Sequence, residues 1–181
     1  MKKLSIDDLK RISKEEFKHA DKTGLILILD NVRSLNNIGS VFRTSDAFRI
    51  ESIYLCGITA TPPNNEIHKT ALGATETVHW EYFDKTEDAV GKARMMGYKI
   101  IGIEQVAGST YLDEFIPTPN VKYALIFGHE IKGVQQQVIN ICDTVIEIPQ
   151  FGTKHSFNIS VSAGIVIWDI YTKMMKIKKG D

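Results

Sequence analysis

Short, almost continuous apolar runs recur along the chain and alternate with segments in which apolar residues follow helical spacing. The runs are typical of strands that are buried on both faces. They span residues 24–30, 52–58, 98–104, 122–128 and 143–149, with a further candidate at 75–83. Helical spacing predicts helices over 37–49, 86–96 and 131–141. Buried strands that alternate with helices indicate an α/β fold, with a mostly parallel sheet and helices on both of its faces.

A last helix is predicted over about 156–175, and it is apolar on nearly every side. A helix of that kind must be covered from several directions, and a second copy of the protein could supply part of the cover. No internal repeat or change of composition marks a second domain, and 181 residues suit a single one. We expect a core over 24–175, an N-terminal helical extension over 1–23 and a basic tail over 176–181.

Composition and charge are those of an ordinary soluble globular protein. The chain is 43% hydrophobic and 24% charged, and its 22 Lys and Arg balance 22 Asp and Glu. This balance gives no support to nucleic-acid binding, although residues 173–181 hold four Lys against one Asp. No run approaches the ~20 apolar residues of a membrane helix, and the first residues lack the apolar centre of a signal peptide. We therefore expect a cytoplasmic protein, with Cys56 and Cys142 as free thiols.

Several familiar site motifs are missing. The dinucleotide-binding pattern G-x-G-x-x-G does not occur, since Gly39 stands alone after the first strand. Gly128 and Gly133 have the glycine spacing of a phosphate-binding loop, but Val and Gln follow where Lys and Ser or Thr are needed. The His129-Glu pair does not continue to the second His of a zinc motif, and the five histidines show no ligand spacing. We expect no metal.

Polar residues gather instead after three predicted strands, where open α/β sheets bind their ligands. The three segments are 30–48, 127–133 and 148–158. They contain Asn, Arg, Glu and Ser side chains but no activated nucleophile. Such a set suits group transfer by positioning, for example methyl transfer from a sulfonium donor, which needs aligned reactants and one base for the acceptor proton.

Together the three segments resemble the three motifs of the SpoU/TrmH branch of the SPOUT RNA methyltransferases. The first is "NNIGSVFRTSDAF", the second "ALIFGHEIKGV" and the third "IPQFGTKHSFNISVSAGI". The first holds an Asn-x-Gly and an Arg six residues after that Asn, and the second a Gly-x-Glu-x-x-Gly. The third holds an Ile-Pro step and a Ser-Phe-Asn that enters a helix of small residues. The resemblance covers about residues 30–171, in order and at strand ends.

The resemblance implies a fold whose C-terminal segment forms a deep trefoil knot. It implies that the knot loops bind S-adenosyl-L-methionine and that the protein is a homodimer with its active site near the subunit interface. The implied reaction transfers a methyl group to a ribose 2′-OH of tRNA or rRNA. Two small departures are His129, where a small or polar residue is more usual, and Phe157, where Leu is commoner.

By resemblance, Arg43 is the first candidate for the catalytic residue. The role that the resemblance implies is to contact an RNA phosphate and to help remove the 2′-OH proton. A guanidinium has a pKa above ~12 and is a poor base, so its role could be electrostatic; the alternative is a surface Arg. Asn37 could orient the ribose or Arg43, or cap a helix. Glu130 could hold Arg43 or its loop, or be a first-turn acid. Ser156 and Asn158 could meet the nucleotide, or cap the last helix.

The resemblance also suggests which residues contact the cofactor. Gly128 would permit close approach of the backbone, and Ile148 and Phe157 could sandwich the adenine. Glu104 ends a strand nearby, and Ser156 belongs to the same loop as Phe157. For the two apolar residues, plain core packing is the alternative.

Two other functions remain open from the sequence. The chain could be a non-catalytic RNA-binding or assembly protein that retains the fold. It could also be a different α/β transferase or oxidoreductase with a nucleotide ligand, although the usual glycine and phosphate motifs are absent. Failure to bind S-adenosyl-L-methionine would favour the first, and tight NAD(P) or ATP binding the second.

Overall fold

Parallel strands form one sheet through the centre of the molecule. The computed structural model describes residues 1–5, 7–9 and 11–180. The strands are β1 Leu25–Asp30, β2 Ser52–Cys56, β3 His79–Phe83, β4 Tyr98–Ile103, β5 Thr110–Tyr111, β6 Lys122–Phe127 and β7 Thr144–Glu147. The sheet has the order β3-β2-β1-β6-β4-β7-β5, and every neighbouring pair is parallel. The predicted class of fold is confirmed.

Helices cover both faces of this sheet. They are α1 Lys14–His19, α2 Leu35–Ala47, α3 Asn65–Ala71, α4 Thr86–Met95, α5 Gln136–Ile139 and α6 Ile159–Lys179, with 3-10 turns at Asp7–Leu9 and Ala74–Glu76. One buried cluster packs α2, α3 and α6 against the sheet, and a second packs α4 and α5 against the opposite face. The alternate residues of β1 divide between the two clusters, so that all of β1 is buried. This explains its unbroken apolar run.

Two helices begin at different residues from those expected, because their capping residues differ. The hydroxyl of Ser34 accepts a hydrogen bond from the Asn37 N–H at 3.3 Å, so α2 begins two residues earlier than predicted. The side chain of Asn158 caps α6, which begins after the predicted Ser156. At its other end α6 continues to Lys179, so most of the predicted tail is the last turn of this helix.

The prediction of a helix over 131–141 is wrong except for its centre at α5. His129 and Gly133 pair through two backbone hydrogen bonds of 3.0 and 2.8 Å, which form a tight turn. Gly133 has φ 66°, in the left-handed region that an α-helix does not continue through. The candidate strand at 75–83 is likewise shorter, since a 3-10 turn occupies Ala74–Glu76 and the strand begins at His79.

No helix within the described residues is both long and apolar enough to cross a bilayer. The cysteines are free thiols, and Cys56 is buried. Burial raises the pKa of Cys56 to about 12 and that of Cys142 to about 11. Both therefore remain protonated at neutral pH, and neither has the thiolate character of a nucleophile.

Candidate active site

The carboxylate of Glu130 lies at the N-terminus of α2. Its Oε1 accepts hydrogen bonds from the Ser34 N–H at 2.9 Å and from Nδ2 of Asn37 at 3.3 Å. Its Oε2 accepts one from the Arg33 N–H at 3.1 Å. Glu130 therefore does not lie in the first turn of a helix formed by its own segment. It occupies the anion position of a different helix, where the unpaired N–H groups and the helix dipole favour negative charge.

These contacts govern the acidity of Glu130. Its partial burial by itself raises the pKa, but the hydrogen bonds from the backbone of Arg33 and Ser34 act in the opposite direction, with smaller help from Asn37. The net effect is a pKa below the ordinary value of 4.5. At neutral pH the group is a fixed carboxylate that joins the second motif to the first.

Asn37 and Asn158 extend this connection to the third motif. Asn37 is only 8% exposed, and its Oδ1 accepts a hydrogen bond from Nδ2 of Asn158 at 3.1 Å. The Oδ1 of Asn158 in turn accepts from the backbone N–H of Ser160 at 2.8 Å, which caps α6. Asn37 thus links two segments, while Ser34 is the cap of its helix. Asn158 both caps α6 and links it to Asn37.

A cavity of about 280 Å³ opens beside this network, between the carboxyl ends of β4, β6 and β7 and the start of α6. Its wall contains all the residues expected to bind the cofactor, together with Glu130: Glu104, Gly128, Ile148, Ser156 and Phe157. Sequence reasoning missed other wall residues, among them Gln105, His129, Lys132, Gln150 and Ser162. All of these except Gln105 lie within the second and third motifs, so membership of those motifs was the available signal.

Glycines shape the loop that closes this cavity. A Cβ atom added to Gly128 would lie 2.1 Å from the carbonyl carbon of Gly133, so the two backbones touch. A Cβ on Gly133 would lie 2.0 Å from Oε2 of Glu104. That same oxygen accepts a hydrogen bond from the Val134 N–H at 2.9 Å. Glu104 therefore contributes to the cavity in two ways, as part of its wall and as the partner that sets the loop.

The third motif contributes an apolar part of the same wall. Ile148 is partly buried against the main core, and Phe157 is 41% exposed toward the cavity region. Ile148 thus packs against the core and lines the cavity at the same time. Apolar side chains beside polar groups and close backbone suit a ligand with an aromatic ring and polar substituents.

Arg43 lies away from this cavity. It is exposed on α2 and lines a second cavity, of about 700 Å³. Of the two partners expected for Glu130, Arg43 is wrong and the loop is right, since the carboxylate accepts hydrogen bonds from Asn37 and from the backbone of Arg33 and Ser34 before α2. The reason is helical geometry: six residues separate Asn37 from Arg43, which displaces Arg43 by about 9 Å along the axis and turns it to another side.

Gly39 of the first motif has a packing role. A Cβ atom there would lie 2.3 Å from the carbonyl oxygen of Ile67 and 2.1 Å from Oγ1 of Thr70. Both belong to α3, so α2 and α3 approach too closely for any side chain.

The structure provides no group of three or more His, Cys, Asp or Glu suited to a metal ion within the part of the chain that it describes.

Residues 24–168, which include every element of this site, match the profile of the SpoU rRNA Methylase family. The chain belongs to the SpoU methylase family. A curated relative is the 23S rRNA (guanosine-2'-O-)-methyltransferase of Nitrosomonas europaea, 29% identical over 81% of this chain and 55% of its own length. The chain thus spans little more than half of that relative.

Solved SpoU structures share the fold. The TrmH/SpoU tRNA modifying enzyme of A. aeolicus superposes with a TM-score of 0.78 at 25% identity, covering 92% of this chain and 82% of its own. An AdoMet-bound rRNA methyltransferase from Sinorhizobium meliloti superposes with a TM-score of 0.77 at 24% identity, covering 86% of this chain and 59% of its own. The predicted membership of the SpoU/TrmH branch is confirmed.

Proposed function

We propose that the protein transfers a methyl group from S-adenosyl-L-methionine to a ribose 2′-OH of tRNA or rRNA. The observation that carries this proposal is the hydrogen-bonded series Glu130, Asn37 and Asn158, which brings all three motifs of the family together beside one cavity. Membership of the family and the activity named for the Nitrosomonas relative support it.

The smaller cavity fits S-adenosyl-L-methionine as the methyl donor. Gly128 packs directly against the backbone of Gly133 and so sets the shape of the cavity wall, and Ile148 and Phe157 offer apolar surface for the adenine. The bound AdoMet of the Sinorhizobium enzyme supports the same assignment. When bound, this cofactor would supply a methyl group on a sulfonium sulfur, from which a neutral thioether departs as a good leaving group.

The residues of the chain would then position the ribose. In our proposal Asn37 and Glu130 fix the start of α2, and Ser156 and Asn158 meet the nucleotide at the start of α6. Arg43 binds an RNA phosphate and stabilises the oxyanion that forms as the 2′-OH loses its proton. A guanidinium stays protonated, so the stabilisation is electrostatic, and the proton passes to an oxygen of that RNA phosphate or to water.

We further propose that the protein acts as a cytoplasmic homodimer. Along α6, Val161 is 48% exposed and Trp168 58%, and the Trp168 ring stands edge-on to Phe48 with ring centroids 6.0 Å apart. Exposed apolar residues on one helix that starts at the active site suit a subunit interface. Such an interface would place Arg43, which lies outside its own subunit's smaller cavity, near shared substrate. The trefoil knot remains a prediction from the resemblance.

The test is a transfer assay with labelled S-adenosyl-L-methionine and separated tRNA and rRNA from cells that lack this gene. Digestion to nucleosides should yield one labelled 2′-O-methyl nucleoside. The Arg43→Ala variant should bind the cofactor as the wild type does but lose transfer, since Arg43 is exposed and outside the cofactor cavity. Absence of both label and cofactor binding would refute the proposal in favour of a non-catalytic RNA-binding protein.

A further inference from the structure

The larger cavity has no role in the site described above, apart from Arg43. Residue 9 and residues 11–17 of the N-terminal segment contribute one wall, and the C-terminal half of α2 with residues 71–77 contributes the other. Its volume of about 700 Å³ falls within the ~300–1,000 Å³ of ligand-binding cavities. The N-terminal wall is anchored, because Phe17 of α1 is buried in the main core with only 3% of its surface exposed.

Positive charge dominates this cavity. Four cationic side chains line it: Arg11, Lys14, Arg43 and Arg49. Lys14 is paired with Glu76 at its edge. No ion pair within the described residues neutralises the three arginines, and the one lining acid, Asp46, accepts a hydrogen bond from Thr77. The chain as a whole has zero formal charge, so this concentration of guanidinium groups is local.

Apolar side chains line the same cavity as these charges. Leu9, Ile12 and Leu72 all line the cavity and are exposed, Leu72 by 65%. Guanidinium groups form paired hydrogen bonds with phosphate oxygens, while apolar side chains cover sugar and base surfaces. A cavity lined by both cationic and apolar groups therefore matches a polynucleotide better than a small anion or an acidic peptide.

We propose that this cavity is a groove that binds the phosphodiester backbone of the substrate RNA, with Arg11 and Arg49 as phosphate ligands and with residues 11–17 as part of one wall. The proposal rests on the proposed function for the identity of the RNA. Arg43 is common to the groove and to the first motif. A strand bound between Arg11 and Arg49 is therefore held against the arginine that acts on the ribose, which assigns a purpose to the N-terminal segment.

The test uses Arg11→Gln, Arg49→Gln and the double variant of the full chain. Both arginines are exposed, so melting temperatures should stay unchanged. The control is Lys99→Gln, which removes one positive charge from an exposed position outside the cavity. For each protein, RNA affinity is measured against salt concentration, and KM is measured for RNA and for S-adenosyl-L-methionine.

Each arginine variant should weaken RNA binding several-fold and raise KM for RNA, with KM for the cofactor unchanged. The slope of log affinity against log salt should fall by about one per arginine removed. An active wild type whose RNA affinity and salt slope are the same in the double variant would overturn the groove and leave the proposed function intact. A wild type that binds RNA through these arginines but transfers no methyl group would overturn the function and leave the groove.

Discussion

Nδ2 of Asn158 lies 3.1 Å from Oδ1 of Asn37, and this single hydrogen bond joins parts of the chain that are 121 residues apart. Asn37 is held from its other side by Glu130. An amide suits this place because it donates to the carboxylate and accepts from the second amide at once. The arrangement fixes the start of α6 relative to the start of α2.

We expect the two functions of Asn158 to be separable by substitution. Asn158→Ser keeps a capping oxygen but loses the donor to Asn37, so stability should change little while methyl transfer falls at least tenfold. Asn158→Ala also removes the cap of α6, which should cost a further ~1 kcal/mol. Urea unfolding and the transfer assay measure the two effects. Full activity in Asn158→Ser would show that the link to Asn37 has no part in the reaction.

Glu130 should make stability depend on pH in the acid range. Its pKa is lower in the folded protein than the ordinary 4.5, so its contribution is complete above about that pH and is lost as pH falls through the lowered value. Glu130→Gln should destabilise the protein at pH 7 by about 1–2 kcal/mol. The difference between the two proteins should shrink on acidification from pH 5 to pH 3, as followed by urea unfolding. A difference that stays constant over this range would contradict the assignment.

Gly128 should be essential for the shape of the cofactor cavity. In Gly128→Ala the new Cβ would lie 2.1 Å from backbone of Gly133, so the loop must move. We expect at least a tenfold loss of S-adenosyl-L-methionine affinity by calorimetry and a loss of stability of about 1–3 kcal/mol. Gly152→Ala is the matched control, because nothing lies within 4 Å of its added Cβ. Equal cofactor affinities in the two variants would exclude the proposed contact.

The exposed apolar side of α6 should control assembly. Trp168→Arg places a charge on a residue that is 58% exposed, and we expect it to convert a dimer to a monomer in light scattering after size exclusion. Met95→Arg, at the end of α4 on the opposite face of the sheet, changes an apolar residue that is even more exposed, at 86%, and should remain dimeric. A monomeric wild type at micromolar concentration would refute the proposed homodimer.

Most of the secondary structure could be predicted from the sequence, because the spacing of apolar residues along a segment indicates which of its sides is buried. The apolar runs became the strands β1, β2, β4, β6 and β7, and helical spacing located α2, α4 and α6 to within a few residues. The helix predicted over 131–141 was wrong because contacts with other parts of the chain override the local pattern. Its apolar residues have helical spacing, but the backbone pairing of His129 with Gly133 and the carboxylate of Glu104 hold it in a turn.

The sequence by itself determined the class of fold, the family and the segments that hold the site, because these depend on periodicity and on motifs read along the chain. Only the tertiary structure decided which side chains meet. In the folded protein the Glu130 carboxylate lies at the N-terminus of α2, and Asn37 accepts a hydrogen bond from Asn158. Arg43 lines the cationic groove and not the cofactor cavity. The physical reason is distance: a hydrogen bond forms only between groups about 3 Å apart, and the packing of whole helices and strands sets which distant residues reach that separation.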